Sequence, residues 1–375
     1  MSNESRLTAV ALVAIAGLSA EAASAQQEVY PAGSLPSFSG PDKTFTGQVD
    51  VQVAFPGDSV PYSGAYVTFQ PGARTAWHEH PAGQHMVVTK GAAITATRDG
   101  QVVEFHEGEA VWCPQGVDHW HGATEHSAMT HFVVTGSKDG ENVVWKDKVT
   151  DEQYQAALKS LEQPLKLTAL SPRQQQMAVA IAFAASSAMG SLQVNLESAL
   201  DQGVSVNELK EAFIHLYPYA GFPKSLNALA ALMGVVESRE HAGKKTTIGP
   251  EPEALPKPDA SQAQGEKVQT ELSGAKVAGP LFDFAPGANT FLQKHLFGDV
   301  FARGVLDVKD RELLTVAILA SLSGTDSQLQ AHIRMAKNAG VTDQQLTDLA
   351  TLLTARVTRS TGARIEQALT KHQAD

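Results

Sequence analysis

The chain contains a single cysteine among its 375 residues. One cysteine excludes an intrachain disulfide and any Cys-x-x-Cys redox pair. It is Cys113, which ends the apolar run 110–113. That setting predicts a buried structural thiol rather than a catalytic nucleophile.

Positive charge is also scarce in this sequence. Lys and Arg total 29 against 40 Asp and Glu, so the net charge is −11, and no Lys/Arg-rich run occurs. Nucleic acids and anionic membrane surfaces attract basic proteins, so this balance argues against either as the main partner. A small-molecule substrate is the expected partner.

Long apolar runs are absent after the N-terminus, since no later segment reaches the roughly 18 apolar residues that a membrane span needs. The N-terminal run 7–20 follows Arg6 and precedes Ala23-Ser24-Ala25, a pattern typical of a cleaved secretory signal. We therefore expect a signal peptide at 1–25 and a periplasmic or secreted mature protein that makes no membrane contact. A retained N-terminal anchor is the alternative.

Turn signals and hydrophobic periodicity divide the rest of the chain. Residues 26–150 hold short β-rich runs separated by Pro-Gly, Lys-Gly and Asp-Gly turns, typical of a sandwich or small barrel. Residues 151–241 and 272–375 are rich in Ala, Leu and Gln at helical spacing. Between them, 242–271 carries four prolines among polar residues, which predicts a linker or long surface loop. The predicted fold is multidomain, with a β-barrel followed by an all-α domain.

Four side chains that can bind a metal occur in the β-rich region. His78 and His80 are two residues apart, so both point to the same face of a strand. Gln84 follows a Pro-Ala-Gly turn, and His119 follows a second turn at 114–118. Imidazoles with one amide oxygen suit a borderline divalent metal such as Mn, Fe, Ni, Co or Zn.

Two motifs around these residues resemble those of the cupin superfamily. The first comprises Gly72, His78, His80, Gln84 and Gly91, with Gln where most cupins have Glu, and the second comprises Gly108, Pro114, Gly116 and His119. The resemblance implies a cupin barrel (double-stranded β-helix) whose metal ligands are the three histidines and Gln84. With Trp77 and Trp120 beside the motif histidines, the pattern is similar to small bacterial cupins with hydroxynitrile lyase activity. This implies Mn, with Fe, Ni and Zn as alternatives.

Gln84 and two further histidines point to the chemistry of such a site. A neutral amide ligand leaves a metal more positive than a carboxylate would, which makes it a stronger Lewis acid towards a hydroxyl, nitrile or carbonyl. His121 lies two residues after His119, so both point inward if the segment is extended. His121 is therefore a candidate general acid or base, with a packing role as the alternative. His131 has the parity of inward-facing residues and is a second candidate for proton transfer.

The helical region contains two similar copies at an offset of 137 residues. In the first copy, Ser205 and Glu208 follow a Gly-Val pair, and in the second, Thr342 and Gln345 follow another. Each set predicts a helix that begins with a capping box. Agreement between the two segments at one fixed offset indicates a duplication.

The second copy, 281–356, resembles the carboxymuconolactone decarboxylase family, an all-α fold usually assembled as trimers or hexamers. Residues 307–315 look like the first conserved helix of that family, and 328–332 look like the segment that carries its histidine. The resemblance implies that Glu312 and His332 form a catalytic proton-transfer pair. A helix-surface Glu and a buried structural His are the alternative.

The first copy lacks this pair of ionisable side chains. Gln175 and Asn195 stand at the positions of Glu312 and His332, and neither amide exchanges protons near neutral pH. We therefore expect the first copy to be structural, with a retained pocket as an alternative, and we expect the two copies to pack on each other. A homo-oligomer assembled through the helices is also expected.

The leading functional prediction is an exported metal-dependent lyase. It would cleave or form a C–C bond in a small hydroxy or carbonyl compound, as in cyanohydrin cleavage. An Fe-dependent dioxygenase is one alternative, and it would stop working without oxygen, whereas a lyase would not. A small-molecule decarboxylase, or a binding protein on a structural helical platform, is the other.

Overall fold

A computed structural model describes residues 27–57, 60–161, 165–255 and 257–374 of the chain. Strands occupy this part of the chain up to residue 145 and helices occupy it from residue 151 onward, which confirms the predicted order of a β region and an all-α region. The predicted signal peptide, 1–25, lies outside the described residues. Among the helices that are described, none has the length and apolarity needed to cross a membrane.

The β region consists of short strands arranged in two sheets. The described strands are β1 (Ser37–Ser39), β2 (Phe45–Thr46), β3 (Val49–Phe55), β4 (Tyr62–Phe69), β5 (Arg74–Thr75), β6 (His78–Glu79), β7 (Gln84–Lys90), β8 (Ala92–Thr97), β9 (Val102–His106), β10 (Ala110–Cys113), β11 (His119–Ala123), β12 (Met129–Gly136) and β13 (Val144–Trp145). One sheet has the order β1-β3-β4-β12-β7-β10. The other has the order β13-β6-β11-β5-β2, and β8 also pairs with β11 and carries β9 on its far edge.

Side chains from both sheets meet in one core. Phe69 and Met86 of the first sheet pack in the same buried cluster as Ala93 and Phe105 of the second. Along β12, buried residues alternate with less buried ones, as expected for a strand with one face on the core. Cys113 lies in this core, so the prediction of a buried thiol is confirmed.

Helices account for most of the remaining chain. The described α-helices are α1 (Asp151–Leu161), α2 (Pro172–Ser186), α3 (Met189–Asp201), α4 (Val206–Ala220), α5 (Phe222–His241), α6 (Pro258–Ser273), α7 (Pro280–Phe284), α8 (Pro286–Phe291), α9 (Val308–Ala320), α10 (Asp326–Asn338), α11 (Asp343–Arg356) and α12 (Arg359–Ala374). A π-helix (Leu292–Val300) and a short 3₁₀ helix (Phe301–Arg303) precede α9. The first helix, α1, packs on the barrel, where the Tyr154 hydroxyl donates to the Ala123 carbonyl at 2.8 Å.

The two helical copies are related by an approximate two-fold arrangement. α3 and α10 begin and end 137 residues apart, and the predicted capping boxes at Ser205 and Thr342 are both present. α4 of the first copy packs on α9 of the second, while α11 of the second packs on α2 of the first. The equivalent residues Arg173 and Asp310 meet in an ion pair at 2.5 Å. Equivalent positions meet in this way at a two-fold axis.

The segment 242–271 contradicts the prediction of a linker or long surface loop, because it is helical from residue 258 onward. The last of its four prolines occupies the first turn of α6, where the missing N–H is not needed. α6 then packs tightly on the π-helix: a Cβ added at Gly265 would lie 1.6 Å from the Gln293 carbonyl oxygen. Contact with a neighbouring helix therefore overrides the loop-like composition.

Candidate metal centre and active site

Three of the predicted metal ligands lie together at the wall of the barrel. β6 pairs with β11 so that His78 stands directly opposite His119. The ring centroids of His78 lie 4.4 Å from those of His119 and 5.0 Å from those of His80. One ligand nitrogen of each histidine lies within 4.8 Å of those of the other two, and all three residues are buried.

Hydrogen bonds leave the same nitrogen free on each of these histidines. Every Nδ1 lies within hydrogen-bond distance of a backbone carbonyl, which can only accept, so Nδ1 is the donor and Nε2 carries the lone pair. The Nε2 atoms of His80 and His119 are buried without a partner among the described residues. The acceptors for His78, His80 and His119 are, in turn, the carbonyl oxygens of Ala76 (2.9 Å), Asn142 (2.6 Å) and Val117 (2.9 Å).

Gln84, the fourth predicted ligand, has one free atom in its amide group. It begins β7 after the predicted turn, and its Nε2 donates to the Thr135 hydroxyl at 2.9 Å. Its Oε1 is buried and has no partner in the described part of the chain. A buried acceptor without a donor is unfavourable unless something else satisfies it. These residues therefore fit a divalent metal.

The protonation of the cluster also suits metal binding. Burial lowers the pKa of His78 well below its usual range, and the neighbouring His119 and His80 lower it further. Burial lowers the pKa of His80 to about 4, and it also lowers that of His119. The three imidazoles are therefore neutral near pH 7, which is the form that binds metals.

His121 and His131 lie in the interior beside these ligands. The ring centroid of His121 is 5.1 Å from that of His78 and 4.9 Å from that of His131. His131 in turn stacks on Phe69 at 5.5 Å. The Nδ1 of His121 and both ring nitrogens of His131 are buried with no partner among the described residues. Burial lowers the pKa of both groups, that of His131 to about 3.

A cavity of about 400 Å³ opens next to this cluster, and its walls come from the barrel alone. Its apolar surface includes Phe45 and Trp145, whose rings lie 5.8 Å apart, and the Trp145 ring lies 4.8 Å from that of His78. Sequence reasoning missed Trp145, because only the pairing of β13 with β6 brings it to His78. The cavity combines an aromatic wall with polar groups at one end, as small-molecule sites do.

The second predicted pair comes together in the helical region, apart from the barrel cavity. Packing of α9 on α10 places the Nδ1 of His332 2.8 Å from the Oε2 of Glu312. The Glu312 side chain is fully buried, and its other carboxylate oxygen has no partner in the described residues. A buried carboxylate held against an imidazole is able to transfer a proton.

The first copy contributes two residues to this pair that sequence reasoning missed. His215 of α4 lies within hydrogen-bond distance of the Thr315 hydroxyl at 2.8 Å, and the Tyr219 ring lies 5.6 Å from that of His332. Burial, with Glu312 nearby, raises the pKa of Tyr219, so the phenol stays protonated. Tyr219 lies in segment 217–223, which resembles the end of the family motif, but only the packing of α4 on α9 brings it and His215 to this site.

A β-barrel with three clustered imidazoles beside an apolar cavity, followed by a duplicated helical unit, defines a cupin-type barrel with an all-α partner domain. The cupin domain family matches residues 65–135, and the carboxymuconolactone decarboxylase family matches residues 152–233 and 286–370. The barrel belongs to the cupin superfamily, and both helical copies are similar to the carboxymuconolactone decarboxylase family.

Individual relatives match each half of the chain. An (R)-mandelonitrile lyase from Granulicella tundricola is 46% identical over 128 residues, which cover 34% of this chain and 98% of that enzyme. A 4-carboxymuconolactone decarboxylase from Acinetobacter baylyi is 34% identical over 90 residues, and the match covers 23% of this chain and 66% of that enzyme. A solved cupin-like protein from Thermotoga maritima has 31% identity and a TM-score of 0.31, covering 35% of this chain and 97% of its own.

Proposed function

We propose that the barrel is a metal-dependent hydroxynitrile lyase, which cleaves an α-hydroxynitrile to a carbonyl compound and hydrogen cyanide. The observation that carries the proposal is a group of buried ligand atoms without hydrogen-bond partners among the described residues, which includes the Nε2 of His80 and the Oε1 of Gln84. They lie beside an apolar cavity that His121 also lines. The mandelonitrile lyase relative, which the chain covers almost completely, supports the same chemistry.

His78, His80, Gln84 and His119 would hold the metal, and we propose manganese. When bound, this ion supplies Lewis acidity towards the oxygen or nitrogen atoms of the substrate. Gln84 would strengthen this Lewis acidity, because its neutral amide does not offset the positive charge of the metal as a carboxylate would.

The protein side chains then bind the substrate and move its proton. Phe45 and Trp145 receive the aryl or alkyl group, because their rings form part of the apolar wall of the cavity. The His121 imidazole accepts the hydroxyl proton while the bond between the carbinol carbon and the nitrile carbon breaks. The carbonyl forms, cyanide leaves with the bonding electrons, and protonated His121 returns the proton to give hydrogen cyanide. His131 also lines the cavity, with its ring centroid 4.9 Å from that of His121, and is the second proton-transfer candidate.

Mandelonitrile cleavage by the manganese-loaded protein tests this proposal, with benzaldehyde followed by its absorbance. We expect His121→Ala to reduce the rate by about 10²- to 10⁴-fold, the usual contribution of a general acid or base. His85→Ala is the matched control, because His85 neighbours Gln84 but is exposed and packs against the exposed Trp112. Equal rates for wild type and His121→Ala would remove His121 from the mechanism.

Oxygen dependence separates this proposal from an Fe-dependent dioxygenase. The lyase reaction consumes no oxygen, so its rate should be the same in anaerobic and aerated buffer. Activity that requires both Fe(II) and oxygen would instead support the dioxygenase.

A second candidate function belongs to the helical region, where the hydrogen bond between Glu312 and His332 favours it. We propose that this pair transfers a proton during decarboxylation of a small lactone acid, as the name of the decarboxylase relative indicates for that enzyme. Glu312→Gln tests it, because it gives the second copy the residue type that the first copy has at Gln175. Loss of carbon dioxide release in this variant, with mandelonitrile cleavage unchanged, is the expected result. Decarboxylation at an unchanged rate would contradict this role.

A further inference from the structure

The first helical copy keeps a cavity at the place where the second copy has its Glu312 and His332 pair. The cavity has a volume of about 410 Å³, and Gln175 and Asn195, the equivalents of that pair, both line it. The replacement of both ionisable groups by amides has therefore not closed the site.

The approximate two-fold symmetry also determines what covers this cavity. In the second copy, α4 brings His215 and Tyr219 to the Glu312 pair. In the first copy, α11 brings the equivalent residues, Leu352 and Arg356, to Gln175 and Asn195. The cavity of the first copy is therefore lined by the Arg356 guanidinium at the position where the site of the second copy has the Tyr219 phenol.

The polar groups of the cavity define the ligand that it would accept. Arg356 forms no hydrogen bond or ion pair with the described residues, so its charge is free for an anion. The Nδ2 of Asn195 donates to the Oε1 of Gln176 at 3.0 Å, while its Oδ1 is buried without a partner in the described chain. That oxygen requires a hydrogen-bond donor. The side chains of Val179 and Phe183 form part of the apolar wall of the cavity.

We propose that this cavity is a non-catalytic binding site for a small hydroxycarboxylate with an apolar body. The carboxylate would bind Arg356, the hydroxyl would donate to the Oδ1 of Asn195, and the apolar body would lie against Val179 and Phe183. Because the guanidinium is planar and carries several donors, it suits a carboxylate better than it suits a neutral group. The assignment does not depend on the function proposed for the barrel.

Titration calorimetry on the metal-free full chain tests this site, with metal removed so that the barrel ligands do not bind the probe. The probes are mandelate, phenylacetate, which lacks the hydroxyl, and mandelamide, which lacks the charge. We expect mandelate to bind most tightly and Arg356→Gln to weaken it by about tenfold or more, as for loss of a charge-assisted hydrogen bond. Asn195→Leu should weaken mandelate but leave phenylacetate unchanged.

Two further variants separate the loss of the site from general damage. Arg334→Gln is the matched control, because Arg334 is an exposed arginine of α10, and it should bind mandelate like wild type. Arg356→Lys keeps the charge and should retain more affinity than Arg356→Gln. Absence of mandelate binding in the wild type, or equal affinity in wild type and Arg356→Gln, would overturn the proposal.

Discussion

The Thr135 hydroxyl controls which atom of Gln84 faces the metal ligands, so its removal should weaken metal binding. Thr135 of β12 is paired with Gln84 of β7, and its buried hydroxyl accepts the amide proton at 2.9 Å. That contact engages the Nε2 and leaves the Oε1, which has no partner among the described residues, available to a metal. Thr135→Val keeps the shape of the side chain but removes the acceptor, which leaves the buried NH₂ group unpaired.

The size of the effect follows from the two consequences of that loss. Removing the hydrogen-bonding partner of a metal ligand typically reduces metal affinity by about 10- to 100-fold. This corresponds to about 1.4 to 2.7 kcal/mol of binding free energy. The unpaired amide should also lower the free energy of unfolding of the metal-free protein by about 1 to 3 kcal/mol. The amide is also free to rotate, and the rotated form would present a donor, which cannot bind a cation.

Competition between the protein and a fluorescent chelator for Mn(II) measures this affinity. Thr130→Val is the matched control, since Thr130 lies on the same strand but pairs with the Thr68 hydroxyl at 2.9 Å, away from the ligands. It should bind Mn(II) like wild type. Wild-type affinity in Thr135→Val, or an equal loss in Thr130→Val, would refute the role assigned to the Gln84 orientation.

Two other predictions concern titration and reactivity. Burial, with Arg311 and His332 nearby, lowers the pKa of His215 well below 6.5, so His215 is neutral in the folded protein. The unfolded chain binds a proton at this histidine below pH 6.5, whereas the folded protein does not. The free energy of unfolding is therefore full above pH 6.5 and falls as the pH drops below that value. The loss is up to about 1.4 kcal/mol per pH unit. His215→Leu introduces the residue that the second copy has at the equivalent position, Leu352. In urea unfolding, the free energy of unfolding of this variant should change less with pH than that of the wild type. An equal pH dependence in both proteins would argue against a buried neutral His215. Burial raises the pKa of Cys113 to about 12, so a thiol reagent at neutral pH should modify it only in urea, and rapid modification of the native protein would show an accessible thiol.

The barrel and its histidine cluster were predictable because both depend on short spacings along the chain. His78, His80, Gln84 and His119 lie in two motifs, and the alternation of side chains along a strand is a local property of the backbone. The same rule placed His131 inside, where it is fully buried.

The Glu312 site was predicted only in part, for a physical reason. Glu312 and His332 lie on consecutive helices, so a family motif spans both. His215 and Tyr219 reach them from a different copy, through helix packing that no spacing along the chain encodes. The prediction of a loop at 242–271 was wrong for a related reason. The packing of α6 against the π-helix outweighs the polar composition of this segment.

The sequence by itself determined the class of each half, the duplication and the three histidines that cluster in the barrel. Those properties depend on strand alternation, helix capping and motif spacing, which act over a few residues. The tertiary structure decided that the Gln84 amide donates to Thr135, that Trp145 lines the barrel cavity, and that each helical copy places residues beside the pair or cavity of the other. Such contacts join residues far apart in the chain, so they depend on how strands pair and helices pack.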